Sequence, residues 1–302
     1  MPAPIVLFVY NRPWHTKQTV EPLLKNTLAD QSELFIFSDA PANAVAQEGV
    51  EQVRKYIKGI KGFKSVNIVE RSENYGLAKS IITGVTEIIS RAGKVIVLED
   101  DLVTSPYFLQ YMNDTLSHYE YCERVFHVAG YMYPVQNQEL PEAFFLPITS
   151  CWGWGTWARA WRYFNNDGLM LSGSMTREKI RQLNFNNTYD YWAQFLLNME
   201  GKLTTWAIFW YINIFLQNGL CLHPAASLVR NIGHDGSGAH HEEGSEYNVV
   251  LGKRPVFLFP DEFKINAQAV TALERFFLNA DTSRRGKVRK FLRMVTEYFK
   301  KI

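Results

Sequence analysis

The three acids Glu99-Asp100-Asp101 follow directly on the apolar run Val95-Ile-Val-Leu98. Adjacent carboxylates at the end of a buried strand repel one another and lose hydration. A divalent cation relieves both costs, and hard oxygen donors suit Mg²⁺ or Mn²⁺, which commonly bridge one or two carboxylates to substrate phosphates. The competing reading is structural: an acid here would cap a helix beginning near Pro106-Tyr-Phe-Leu-Gln110.

Other residues offer complementary chemistry. Asn74-Tyr-Gly-Leu-Ala-Lys79 reads as a strand-to-helix turn, where glycine lets backbone approach a ligand and Lys79 can meet a phosphate. Asp39, in Ser38-Asp-Ala-Pro41, can accept from a nucleobase N–H or from ribose hydroxyls, or it serves as a turn or cap residue. Residues 231–241, from Asn231 to His241 and including His234 and Asp235, concentrate polar groups and glycines in a loop able to close over a ligand. His240 or His241 in this loop can ligate a metal or contact a diphosphate. Gly153-Trp-Gly-Thr-Trp-Ala158 formally matches a dinucleotide fingerprint, but it lacks an evident preceding strand and places Trp where small residues are wanted. The flanking Trp152, Trp154 and Trp157 suit a sugar-stacking floor or plain core packing. No phosphate-binding P-loop motif is present.

The elements that must position these residues alternate. Short apolar strands are expected at Ile5–Tyr10, Leu34–Phe37, Val66–Val69 and Val95–Leu98, with helices at Thr16–Leu28, Val45–Ile60 and Leu77–Arg91 between them. Strands without polar alternation imply a mostly parallel sheet covered on both faces. The ligand crevice of such a sheet lies at the carboxyl ends of its strands. Asn11-Arg12, Ser38-Asp39 and Glu99-Asp100-Asp101 all fall at such ends. After about residue 130 the alternation stops, and a long helical region is expected over about 176–217.

The 302 residues carry 32 Lys+Arg against 30 Asp+Glu, a balance that does not mark a nucleic-acid binder. The charge is uneven: residues 283–302 hold eight basic residues and one acid, in an amphipathic helical pattern that suits either an anionic membrane surface or packing against the body. The three cysteines form neither a disulfide framework nor a zinc motif, which suits a reducing, cytoplasmic setting, and no signal peptide is visible. The uncharged stretch Leu203–Val229 contains a dense apolar part of only 11 residues, Trp206–Leu216, too short to span a bilayer and expected as a buried helix.

Taken in order, Asn11-Arg12, Ser38-Asp39, Asn74–Lys79, Glu99-Asp-Asp-Leu102, Gly153-Trp-Gly155 and Ile232-Gly233 make the chain, over residues 4–245, resemble GT-A fold glycosyltransferases, in particular the N-acetylglucosaminyltransferase I type and bacterial family 2-like polysaccharide sugar transferases. The resemblance implies an α/β, Rossmann-like GT-A fold: a mostly parallel sheet flanked by helices, with a helical acceptor-side region and a C-terminal amphipathic helix. It divides the chain into a nucleotide-sugar-binding half (1–130), an acceptor and catalytic half of the same domain (131–265) and a basic tail (266–302). It also implies transfer of a sugar from a nucleoside-diphosphate sugar, a UDP-sugar foremost, to a glycan or lipid-linked glycan hydroxyl, with inversion and with Mn²⁺ or Mg²⁺. By the same resemblance Arg12, Asp39, Glu99 and Asp100 bind the donor, Asp101 holds the metal and the loop 231–241 orders over the donor; from their own chemistry and position Asn74, Lys79 and His234 join the donor-binding candidates and His240 the metal candidates. The Trp-Asp pair that supplies the family's catalytic base falls on Trp206-Ala207, and alanine cannot accept a proton. Asp190 and Asp235 are the substitute candidates. Two rivals stand beside this reading: a non-catalytic nucleotide-sugar-binding protein, which Ala207 motivates, and a nucleotidyltransferase, which would want a glycine-rich basic loop after strand one that Asn11-Arg-Pro-Trp-His15 does not supply.

Overall fold

In a computed structural model, residues 1–135, 140–236 and 246–280 are described. The N-terminal part alternates β1 (Ile5–Val9), α1 (Pro13–Leu24), β2 (Glu33–Ser38), α2 (Ala44–Ile57), β3 (Ser65–Glu70), α3 (Gly76–Ala92) and β4 (Lys94–Glu99). β3, β2, β1 and β4 lie side by side in that order, all parallel. The continuous apolar runs have a direct cause, because both faces of β1 are covered. Ile5, Leu7 and Val9 join a core cluster with Val20, Leu23, Val53 and Ile57 of α1 and α2, while Val6 and Phe8 join another with Ile81, Val85 and Ile88 of α3. Gly84 allows α3 to settle on the sheet, since a Cβ there would lie 2.7 Å from the Phe8 ring.

The chain continues through β5 (Leu102–Thr104), α4 (Phe108–His118), β6 (Val125–Ala129), β7 (Ala143–Leu146), β8 (Trp154–Trp157), α5 (Ala158–Trp161), α6 (Gly168–Gly173), α7 (Arg177–Leu183), α8 (Tyr191–Met199), α9 (Ala207–Leu216), β9 (Leu220–Pro224) and β10 (Val229–Asn231). Residues 267–280 are helical. The sheet runs on as β4-β8-β6-β9-β7, with β8 antiparallel to β4 and β6 and with β7 antiparallel to β9. One eight-stranded, mostly parallel sheet therefore joins residues from both halves of the chain. The fold is α/β, a large sheet flanked by helices.

Of the two readings of the tryptophans around 153–158, core packing holds for Trp154 and Trp157, which belong to β8 and are buried in the core. The helical region expected over about 176–217 consists of α7, α8 and α9, and the apolar run at its end is the expected buried helix, α9. The basic pattern at 283–302 lies outside the described residues. Among the described residues no helix is long and apolar enough to cross a membrane.

Two buried histidines tie the sheet to the loop before β8. His127 of β6 donates from Nε2 to the Ser150 carbonyl (2.9 Å) and accepts at Nδ1 from the Trp210 indole (3.2 Å), while His223 of β9 donates from Nε2 to the Ile148 carbonyl (2.8 Å). Burial pushes the pKa of His223 down to about 4 and that of His127 to about 3. Both are neutral in the folded state, whereas the unfolded chain binds their protons near pH 6.5, so their contribution to stability is lost as pH falls below that value. Substituting His223→Gln keeps the donor and removes the titration. Between pH 6.5 and 5 the variant should lose roughly 1–2 kcal/mol less stability than the wild type in urea unfolding. Equal losses would show that His223 is not held neutral.

Candidate functional site

The chain passes from β1 outward to β2 and β3, then returns to place β4 on the other side of β1. The point where the order reverses, at the carboxyl ends of β1 and β4, is where open α/β sheets form their ligand crevice. Phe8 is in register with Glu99, so the residues that follow the two strands meet. Arg12 donates from Nη2 to Asp100 Oδ1 and, at 2.8 Å, to Asp101 Oδ2. All three side chains are largely buried. Asp100 also accepts from the Tyr10 N–H at 3.4 Å.

The charges do not balance. Burial disfavours the Arg12 cation, but Asp100 and Asp101 outweigh this and raise its pKa. Burial raises the pKa of Asp100, against the opposing pull of Arg12. Glu99 is pushed up to about 8, first by burial and then by repulsion from Asp101 and Asp100. Three carboxylates thus share one guanidinium. Arg12 keeps a second terminal nitrogen, Nη1, that is buried and has no hydrogen-bond partner. An unmatched buried donor beside a surplus of carboxylate oxygen suits a ligand that brings both anionic oxygens and a cation. Among the described residues no group of three or more His, Cys, Asp or Glu side chains is arranged to hold a metal. The oxygen-only donors of Asp100 and Asp101 do fit Mg²⁺ or Mn²⁺ where phosphate and water supply the remaining ligands.

The segment after β10 is fastened over these acids. β10 pairs antiparallel with β5, with Asn231 opposite Leu102, and the Ile232 N–H donates to the Asp101 carbonyl at 2.9 Å. Gly233 then passes so close that a Cβ would sit 2.2 Å from Asp101 Oδ2, which no other residue could tolerate without displacing that carboxylate. Asp235 is within 3.1 Å of Nε2 of His15, a buried residue in the first turn of α1. His15 is a site neighbour that the sequence reading missed, because nothing local in Pro13-Trp-His-Thr16 links it to a residue 220 positions away.

Asp39 is buried at the end of β2, and its carboxylate accepts from the N–H groups of Tyr75 (2.9 Å) and Gly76 (2.8 Å) at the start of α3. It therefore holds the Asn74–Lys79 turn in place. Asn74 donates to the Ala40 carbonyl at 2.6 Å. Arg71 and Lys79 lie against the Tyr75 ring, 4.6 and 3.9 Å from its centroid.

Beside Glu99 opens a cavity of about 350 Å³, walled by Tyr133, Trp152, Tyr191, Trp206 and Tyr247 among others. His234 also lines it, its ring stacked at 5.8 Å on that of Tyr247. Ala207, the position of the resembled family's base, is on the cavity wall and presents a methyl group. Asp190 is not brought there: it is exposed and caps α8, accepting from the Ala193 N–H and from Asn184, while its neighbours Tyr189 and Tyr191 face the cavity. His240 lies outside the described residues.

No protein-family model matches the chain, and no curated protein matches it in sequence. Among solved structures it is similar to S. aureus TarS, at 14% identity over 50% of this chain and 25% of that one, with a TM-score of 0.34. A TarS structure spanning residues 1–349 gives 14% identity, 50% and 42% coverage and a TM-score of 0.33. GalNAc-T7, solved with UDP, GalNAc and Mn²⁺, gives 11% identity, 74% and 42% coverage and a TM-score of 0.45. The matched region spans between a quarter and about two-fifths of these chains. At these TM-scores the likeness decides nothing about chemistry, which has to come from the residues.

The capping role of Asp39 is measurable. Asp39→Ala frees two N–H groups at the start of α3 and should cost about 2 kcal/mol in urea unfolding. A loss below about 0.5 kcal/mol would show that the carboxylate does not hold this turn.

Proposed function

We propose that the chain is a glycosyltransferase of GT-A type that moves a sugar from a nucleoside-diphosphate sugar, a UDP-sugar foremost, to a glycan hydroxyl. The observation that carries the proposal is the buried, unpartnered Nη1 of Arg12 beside the paired Asp100 and Asp101 at the switch point of the sheet, with Glu99 of the same strand end on the wall of an aromatic cavity. The arrangement supplies an anion-seeking donor, oxygen donors for a cation and rings of the kind on which sugars stack.

In the reaction the acceptor oxygen forms a bond to the anomeric carbon as the bond from that carbon to the diphosphate oxygen breaks, and the leaving oxygen takes the electron pair. Arg12 meets the charge that develops on the diphosphate. A divalent ion held by Asp101 and the donor phosphates, Mn²⁺ or Mg²⁺, would supply further neutralisation when bound. Asp39, Asn74 and the turn they hold form the nucleoside side of the crevice. Among the described residues lining the cavity Glu99 is the sole carboxylate, and it takes the acceptor proton. A single displacement with inversion is part of the proposal by resemblance. We extend the proposal to a cytoplasmic protein whose acceptor is lipid-linked, with the basic residues 283–302 meeting an anionic membrane. Loss of binding to anionic liposomes on deleting 283–302 is expected, and unchanged binding would reject that contact.

Ala207 supports a second reading, a protein that binds a nucleotide sugar without transferring it. The two separate in one set of measurements. UDP should bind the wild type, and Arg12→Ala should weaken it roughly 30- to 100-fold, as expected for lost charge-assisted hydrogen bonds. EDTA should abolish turnover, and Asp101→Asn should lower Mn²⁺ affinity measured by calorimetry. Glu99→Gln should lower nucleoside-diphosphate release by about 100-fold or more while leaving UDP affinity within a few-fold. Binding without release across donors and acceptors would favour the second reading, and absence of nucleotide binding would remove both.

A further inference from the structure

Arg230 is the middle residue of β10, and its two strand neighbours, Val229 and Asn231, are buried. Side chains alternate along a strand, so with those two turned inward Arg230 stands on the outer face. There it lines a groove of about 420 Å³ together with Lys253 and with Tyr107, Val249, Val250 and Leu251. Arg230 and Lys253 are exposed. Among the described residues neither enters an ion pair, and no carboxylate lines the groove. Val250 is 83% exposed, so its apolar side chain has almost no cover from the protein.

The fold holds this groove in shape. The Gly252 N–H donates to the Ser227 carbonyl at 2.8 Å, and the Gly252 carbonyl accepts from the hydroxyl of buried Ser105 at 2.7 Å. The Ser105 N–H in turn donates to the Leu228 carbonyl at 2.8 Å, directly beside the pairing of β10 with β5. The stretch that carries Lys253 is thus tied to the strand that carries Arg230, and little ordering is left for a ligand to bring about.

Two cations without counter-ions beside uncovered aliphatic side chains match one ligand chemistry, a phosphate with a hydrocarbon chain attached. Phosphate oxygens accept from guanidinium and ammonium groups, and the chain takes the aliphatic side chains out of water. A bare anion would leave Val249, Val250 and Leu251 wet, and a neutral hydrocarbon would leave both cations unmatched. The groove also adjoins the site already described. A neighbouring cavity of about 380 Å³ shares Arg230 and Val249 with it and reaches Asn231, Ile232 and His234, and His234 lines the aromatic cavity as well.

We infer that the groove beside β10 binds the phosphate and the first part of the hydrocarbon chain of a lipid-linked acceptor. Arg230 and Lys253 meet the phosphate, Val249, Val250 and Leu251 meet the chain, and the glycan runs past Asn231 and His234 to the aromatic cavity. The inference deepens the proposed function by placing the lipid end of the acceptor, and it rests on that reading for the ligand's role as acceptor.

Farnesyl phosphate, farnesol and inorganic phosphate test it on the full-length protein, below the concentration at which farnesyl phosphate aggregates. UDP and Mn²⁺ in excess keep the donor site occupied, and calorimetry reads the affinities. Farnesyl phosphate should bind roughly tenfold or more tightly than either farnesol or inorganic phosphate. Arg230→Gln and Lys253→Gln should each weaken it roughly tenfold and Val250→Ser about threefold, with UDP affinity unchanged. All three side chains are exposed, and circular dichroism checks that the variants are folded. Equal affinity of the wild type and the Arg230→Gln/Lys253→Gln double variant for farnesyl phosphate overturns the inference. So does inorganic phosphate binding as tightly as farnesyl phosphate, which would leave a plain anion site. Loss of binding to phosphatidylglycerol vesicles in the double variant, with farnesyl phosphate binding intact, would make the groove a general membrane contact and overturn the acceptor assignment. In each of these cases UDP binding leaves the proposed function standing. Failure of UDP to bind would remove the proposed function, and the same series run without UDP would still decide whether the groove binds a lipid phosphate.

Discussion

One guanidinium between two buried aspartates organises the centre of this protein. Arg12 follows β1 and Asp100 and Asp101 follow β4, so the contact exists only because the two strands are parallel neighbours in register. Desolvation makes such a pair expensive to assemble and more expensive to break, because removing one partner strands the other's charge. Replacement by apolar residues would serve stability as well or better. The retained ionic cluster, with the raised pKa of Glu99 and the unmatched Nη1 of Arg12, is consequently better explained by ligand chemistry than by the needs of the fold.

The surroundings keep that cluster in place. Gly233 presses backbone against the Asp101 carboxylate, and β10 anchors this contact by pairing with β5. Asp39 fixes the start of α3 through backbone N–H groups, so the neighbouring strand end is rigid without the help of a ligand. His127 and His223 anchor the stretch at 148–150, which leads to Cys151 and Trp152 on the cavity wall. Asp39, His127 and His223 are buried and each hydrogen-bonds backbone, which is how a scaffold pre-positions reactive side chains at little entropic cost when a ligand arrives.

The chemistry divides between two adjoining regions. The ends of β1 and β4 hold the cation and the acids, a setting for a diphosphate and its metal. The cavity holds rings, hydroxyls and Glu99, a setting for a sugar. Glu99 belongs to both, since it shares the strand end with the aspartates and the wall with the tyrosines. Ala207 presents a methyl group at the cavity wall, so under the proposed function another side chain has to take the acceptor proton.

The amino-acid sequence alone determined the alternating half of the fold. Strands β1, β2 and β4 were legible because burial leaves an unbroken hydrophobic run, which is a local property, while the edge strand β3 is only partly buried and carries Asn67. The same locality exposed Arg12, Asp39 and Glu99–Asp101, polar residues abruptly following apolar strands. What lay beyond the sequence was the outcome of long-range contact. Whether Trp152 lines a cavity while Trp154 and Trp157 fill the core depends on β8 inserting antiparallel between β4 and β6. Whether Asp39 meets solvent or the first N–H groups of α3 depends on strand order, and whether Asp190 reaches the cavity depends on the rotation of α8. A residue's type and neighbours fix what its side chain can do. Only the packing of distant segments fixes which groups it faces, because pairing energies between residues far apart in the chain leave no periodic trace along it.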